Sequence, residues 1–205
     1  MSDSLSRCIY CNGSECHASQ SVKDQCSDIK SSVYLAAFGM NLKVGVSSKD
    51  RLLKRWLEQG ADQAVEVASV TSGKIARIVE HHVSKEFSIS KSIRTKAKIE
   101  RILDKHSTTS TMLEDLAIKT SRWVQEHYPE CAQGEMQIVV LRNHYNLSFV
   151  SAPFAFTISN EFAISGKFIA MKGPLFFFQD KIAYFLDFRA LRGRRVIVRQ
   201  PSAEG

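Results

Sequence analysis

Between Val33 and Phe87 short apolar runs alternate with helical stripes, and few folds accommodate that order. Val33-Tyr-Leu-Ala-Ala-Phe38 reads as a strand, Gly39-Met-Asn41 as a turn and Leu42-Lys-Val-Gly-Val46 as the return strand. Together they predict a β-hairpin. Ser47, Ser48 and Asp50 supply N-cap candidates for a helix from about Lys49 to Glu58. Its apolar stripe is Leu52, Leu53, Trp56 and Leu57, and Gly60 marks its end. Ala64 to Val70 reads as a third strand, after which Thr71 and Ser72 open a helix with Ile75, Ile78, Val79 and Val83 on one face. The product is a compact β-β-α-β-α unit.

The flanks have other textures. Residues 1–30 are polar, carry cysteines and show no apolar periodicity. Lys91 to about His127 is mostly helical and starts strongly basic, with Lys91, Arg94, Lys96, Lys98, Arg101 and Lys105. Ser107-Thr-Thr-Ser110 is expected to interrupt it and cap a helix over Thr111–His127, which Pro129 stops. From Gly134 short strands are predicted at Met136–Leu141, Leu147–Val150, Phe154–Ile158, Lys167–Met171, Leu175–Phe178, Ala183–Asp187 and Val196–Arg199, a spacing that suggests a small barrel or sandwich. The expected architecture is α+β: a Cys-rich extension (1–30), a small mixed sheet with flanking helices (31–90), a basic helical connector (91–130) and a β-rich unit (131–205). With 205 residues, 44% of them hydrophobic, the chain has material for a core. No apolar run approaches the roughly 18–20 residues of a membrane helix, and the first residues lack the layout of a secretory signal, so a cytoplasmic protein with no membrane partner is expected.

Four of the five cysteines fall in the first 26 residues, as Cys8-Ile-Tyr-Cys11, Cys16-His17 and Cys26. Two thiolates on one tight turn plus a second cluster is the sequence form of a tetrahedral zinc site. The expected ligands are Cys8, Cys11, Cys16 or His17, and Cys26, holding a structural zinc that staples a segment with little core of its own; reduced thiols on a tail are the alternative. Cys131 stands alone and is expected to be inert. His81 and His82 are neighbours about 100° apart on a helix and cannot chelate one ion together.

The net charge of +7 raises the prior for a polyanionic partner, DNA or RNA. Besides the connector, Arg189, Arg192, Arg194, Arg195 and Arg199 form a cluster that reads either as a solvated hairpin tip or as a phosphate contact. Phe176-Phe-Phe178 reads as core and turn packing. Alternation turns Phe177 to the other face, where one exposed aromatic beside those arginines would suit nucleic acid.

A tyrosine on the hairpin (Tyr34), a glycine on its return strand (Gly45), an arginine one helix later (Arg55) and a glutamate on the next helix (Glu80) resemble, in that order, the GIY-YIG nuclease superfamily. The stretches Val33-Tyr-Leu-Ala, Leu42-Lys-Val-Gly-Val-Ser47, Arg55-Trp-Leu-Glu-Gln-Gly-Ala61 and Ile78-Val-Glu80 are closer still to domain of unknown function 2797. Ile164-Ser-Gly-Lys167, Met171-Lys-Gly-Pro174, Phe188-Arg189 and Gly193 resemble that family's tail. The nuclease resemblance implies Glu80 as ligand of a divalent metal, usually Mg²⁺, Tyr34 as base or water-orienting group, and Arg55 as stabiliser of phosphoryl charge. Ser32 stands where the first motif has glycine and Lys43 where the second has tyrosine; Lys43 is placed to bind a phosphate or to lower the pKa of Tyr34. The reading is a nucleic-acid-binding protein with a Mg²⁺-dependent phosphodiesterase as its enzymatic form. A zinc-stapled binding or protein-interaction module without turnover is the alternative.

Overall fold

A computed structural model describes residues 11, 15–16, 18–100, 102, 107–147, 153–156 and 163–197. Strands β1 (Ser31–Phe38) and β2 (Asn41–Ser48) form the expected hairpin, turned at Gly39 with φ 57° and registered so that Tyr34 faces Gly45. One 3-10 turn (Lys49–Arg51) leads into α2 (Leu52–Gln59), and Gly60 closes that helix in the left-handed conformation, φ 72°. Strand β3 (Gln63–Val70) returns antiparallel on the other side of β1, and α3 (Gly73–Glu86) follows. All eight residues of β1 are buried. Their alternation sends Val33, Leu35 and Ala37 into a core shared with Val79 and Leu113, and Tyr34, Ala36 and Phe38 into one shared with Trp56.

Helix α1 (Gln20–Asp28) precedes the hairpin, although the polar texture of residues 1–30 gives no sign of it. It buries Val22, and Cys26 lies against Gly73 at the start of α3. The connector folds as α4 (Thr95–Glu100) and the long α5 (Ser107–His127), which ends ahead of Pro129 as expected. Contrary to expectation, Ser107–Ser110 lies inside α5. The hydroxyls of Thr109 and Ser110 have tertiary partners, Met40 Sδ and Gln63 Nε2, at 3.3 and 2.6 Å, so they do not compete with the helix backbone.

The strand expected over Met136–Leu141 shrinks to β5 (Val139–Val140). With β4 (Ala132–Gln133) it pairs with β3, so both extend the first sheet. The second sheet is open, not a barrel or sandwich: β6 (Phe154–Ala155), β7 (Lys167–Lys172), β8 (Leu175–Gln179) and β9 (Ala183–Asp187) in the order β6-β9-β8-β7. Of the remaining expected strands, Leu147, Val196 and Ile197 are irregular, and residues 148–150, 157–158 and 198–199 lie outside the described residues. The chain is thus α+β with two small sheets, and among the described residues no helix is long and apolar enough to cross a membrane.

The second sheet docks where α2 ends. Gly173 (φ 58°) abuts Gly60 so closely that a Cβ on it would stand 2.7 Å from the Gly60 nitrogen. Beside this contact the buried Asp62 accepts from Lys172 Nζ at 2.6 Å and from the Gly39 amide at 2.8 Å. Tyr145 Oη donates to the Ala61 carbonyl and Lys98 Nζ to the Gln59 carbonyl, both at 2.7 Å. The last turn of α2 is therefore held from three directions.

Candidate functional site

Tyr34, Lys43, Arg55 and Glu80, drawn from two strands and two helices, line one hollow of about 200 Å³ together with Gly45, Gln59, Arg77, Lys91 and Cys11. The geometry starts at Gly45. Because it has no side chain, the Tyr34 ring can lie across it: a Cβ there would stand 2.5 Å from the tyrosine oxygen. Tyr34 forms the floor, fully buried, with its ring edge-on to Trp56 at 5.9 Å. Arg55, on the exposed face of α2, stands at the rim.

Gln59 organises the floor. Its Oε1 accepts from Lys43 Nζ at 3.1 Å and its Nε2 donates to Tyr34 Oη at 2.9 Å. The order follows from chemistry: an ammonium only donates, so the amide oxygen must face Lys43 and the NH₂ must face the tyrosine. Arg55 lies near enough to that phenol to favour its ionised form electrostatically. With the Gln59 amide donating to its oxygen, Tyr34 keeps its own O–H proton to offer.

Burial raises the Tyr34 pKa, outweighing the lowering effects of Arg55 and Gln59. This corrects the expectation that Lys43 lowers it. Tyr34 stays protonated at neutral pH, which suits a hydrogen-bond donor better than a base. Lys43 is itself pulled down to about 8, first by burial and then by Arg55, with Glu80 acting the other way. Its ammonium also lies 5.9 Å from the Tyr34 ring centre.

Glu80 is buried, and its Oε2 accepts from Arg77 Nη1 at 3.0 Å, an i,i+3 pair on α3. The hollow thus sets one carboxylate against Lys43, Arg55, Arg77 and Lys91. That excess suits an anion. Among the described residues no three His, Cys, Asp or Glu are grouped to hold an ion. A hard cation fits here only beside Glu80 in company with a phosphate that supplies the remaining oxygens and charge.

The other expected site residues scatter. Lys91 lines the hollow and lies 3.0 Å from His81 Nδ1, while His82 meets the Tyr128 hydroxyl, so the histidines serve separate contacts. Arg94 and Lys96 are exposed on the connector, Lys96 beside Glu100. Lys98 turns inward over the Phe38 ring, 4.2 Å from its centre, and burial, then Lys43, pull it down to about 7. Arg189 is held by Asp187 and Thr95; Arg192, Arg194 and Arg195 are exposed. Of the expected zinc ligands, Cys8 and His17 lie outside the described residues, Cys11 lines the hollow, Cys16 is half-buried and Cys26 packs against α3. Cys131 is buried, and burial pushes its thiol up to about 11, which keeps it protonated.

Ser32 is buried and donates to Glu66, which also binds Lys49 at 2.6 Å. It belongs to a polar network apart from the hollow. Gln59 and Arg77 escaped the sequence reading although spacing marks both: Gln59 follows Arg55 by four and Arg77 precedes Glu80 by three, one helix face in each case. Comparisons with curated proteins and with solved structures give no match. A family comparison matches residues 4–196 to the family described as protein of unknown function (DUF2797), and the chain belongs to that family.

Proposed function

We propose that this protein binds nucleic acid and that the hollow seats a backbone phosphate. The observation that carries the reading is the meeting of Lys43, Arg55 and the Tyr34 hydroxyl around one cavity with more cations than carboxylates. Lys43 and Arg55 supply charge to phosphate oxygens, Arg55 in a planar fork. Tyr34, oriented by Gln59, adds a neutral donor from the floor. Arg77 engages Glu80 and lessens its repulsion of the incoming anion.

Phosphodiester cleavage at the same place is a second reading. It is favoured by Glu80 and Arg55 sharing the hollow with Tyr34, the order that resembles GIY-YIG nucleases. A divalent cation bound at Glu80 would supply Lewis-acid polarisation of a phosphoryl oxygen. The chain's own part would be to hold the phosphate with Arg55 and Lys43, orient it through Tyr34 and keep Gln59 fixed behind it.

Fluorescence anisotropy with single-stranded, duplex and branched DNA and with RNA at physiological salt tests the binding reading. Lys43→Ala with Arg55→Ala is expected to weaken binding about tenfold or more, from the loss of two charge-assisted contacts. Absence of binding to all four probes overturns it. Incubation with Mg²⁺ beside a Glu80→Ala control tests cleavage, which fails if no product forms or if the control cuts equally well.

A further inference from the structure

Phe176 and Phe178, not Phe177, face outward on β8: Phe177 is wholly buried beneath the sheet, packed with Leu175 and Phe185. This reverses the sequence expectation and yields more than one exposed ring. Pairing sets Phe178 opposite Phe168 on β7 and opposite Tyr184 on β9, so all three rings share one face. Ring centres lie 5.8 Å apart for Phe168 and Phe178 and 5.7 Å for Phe178 and Tyr184. Phe156 extends the row at 6.0 Å from Tyr184, while Phe176 stacks on Phe188 at 3.7 Å. Phe168 is 51% exposed and Phe188 40%, values far above those of core aromatics.

A row of rings on a sheet face could meet an apolar partner or unpaired bases. The surrounding charge decides. Residues 163–197 carry seven Lys and Arg against two Asp; Lys172 is buried against Asp62 and Arg189 is held by Asp187, which leaves Lys167, Lys181, Arg192, Arg194 and Arg195 exposed. Arg189 directly follows Phe188, and Arg192, Arg194 and Arg195 follow within seven residues, all exposed. An apolar protein surface has no use for such a border, whereas a strand of unpaired nucleotides needs both rings for its bases and cations for its phosphates.

We infer that the outer face of the second sheet binds single-stranded nucleic acid, with bases stacking on Phe168, Phe178 and Tyr184 and phosphates running toward the arginines after Phe188. The inference rests on the nucleic-acid reading above but not on the hollow or on cleavage. A duplex, whose bases are stacked on one another, cannot use the rings.

The test measures anisotropy of the full chain with fluorescein-labelled twelve-nucleotide oligothymidylate and oligouridylate and with a twelve-base-pair duplex. Tighter binding of the single strands is expected. Phe168→Ala with Phe178→Ala should weaken single-strand affinity by about tenfold or more and leave duplex affinity unchanged. Phe178→Trp, which keeps an aromatic ring and so guards against a misfolded double variant, should retain affinity, and the indole emission it adds should be quenched on binding. The inference is overturned if the duplex binds as tightly as the strands, or if the tryptophan emission of the Phe178→Trp variant matches that of the unaltered protein's change on saturation, leaving no quenching of the added indole. Salt-dependent duplex binding without preference for single strands removes this face and leaves the nucleic-acid reading standing; no binding by any probe removes both. Concentration-dependent dimerisation in light scattering, abolished by Phe168→Glu, assigns the face to a second copy and also overturns it.

Discussion

Gly45 and Tyr34 compete for one volume, and the site exists because glycine yields it. In Gly45→Ala the added methyl would press on the phenol oxygen and on ring carbon Cζ, at 2.5 and 2.6 Å. The ring must shift away from Gln59, at an expected cost of about 1–3 kcal/mol in urea unfolding. In a Tyr34→Leu background most of that cost should vanish, so the two substitutions should be strongly non-additive; additive losses would mean that the ring does not cross the strand there. Lys43 and Lys98 give a second test at this scale. Both fold with pKa values below the usual lysine range, about 8 and about 7, with burial the main cause. Between those values and the unfolded lysine value the unfolded chain binds more protons, so their contribution to stability grows as pH rises through that window. Phosphate affinity at the hollow should move the opposite way, falling from about pH 7 to about 9 as Lys43 neutralises. Lys43→Arg, which holds its charge, should flatten the binding limb in anisotropy titrations, and an unchanged limb would exclude Lys43 from the phosphate seat. Tyr34, Arg55 and Glu80 were legible through the family resemblance of their order along the chain; Gln59 was not singled out, although its helix spacing from Arg55 marks it. The inward turn of Lys98 was not legible, since its helix places it among solvated lysines and only Phe38 and the Gln59 carbonyl draw it in.

Among the elements, α2 joins fold to site. Its N-terminal half lies on the hairpin, its last turn carries Gln59, and that turn is clamped by the second sheet through Gly173 and Lys172. Its apolar stripe and terminal Gly60 were legible because both obey local rules. The clamp was not, since Asp62 and Lys172 stand 110 positions apart and no periodicity links them. Two variants probe the clamp. Lys172→Met leaves the buried Asp62 carboxylate with only Arg142, 3.7 Å away, and the Gly39 amide, and should cost about 3 kcal/mol in unfolding experiments; adding Asp62→Asn should recover part of the loss by removing the under-compensated charge. Gly173→Ala both strains a left-handed residue and drives a methyl toward the Gly60 nitrogen. It should displace Gln59 and weaken phosphate binding although position 173 lies outside the hollow. If affinity holds while stability falls, the clamp serves the fold alone.

For the whole molecule the decisive quantity is where the positive charge sits. The sequence places it on a connector and a hairpin tip, and folding reassigns part of it: Lys98 goes inward, Lys91 joins the hollow, and Arg192, Arg194 and Arg195 stay exposed just after Phe188, whose ring stacks on Phe176 of the second sheet. Sheet strands hid this regrouping, because a register decides which side a ring takes, and the register of Phe168, Phe178 and Tyr184 is fixed by pairing between strands. Counterion release turns the arrangement into a measurable slope. Each phosphate neutralised on a single strand contributes about −0.7 to the dependence of log K on log salt. Substituting Arg192, Arg194 and Arg195 by Ser should therefore make the slope shallower by about two, with affinity converging on that of the unaltered protein at high salt. The Phe168→Ala and Phe178→Ala pair should do the reverse, lowering affinity at every salt concentration while leaving the slope unchanged, because stacking releases no ions. Two families of variants that shift slope and intercept separately would place charge and rings on one binding path; a loss of slope in the phenylalanine variants would mean that the rings only support the arginines' fold.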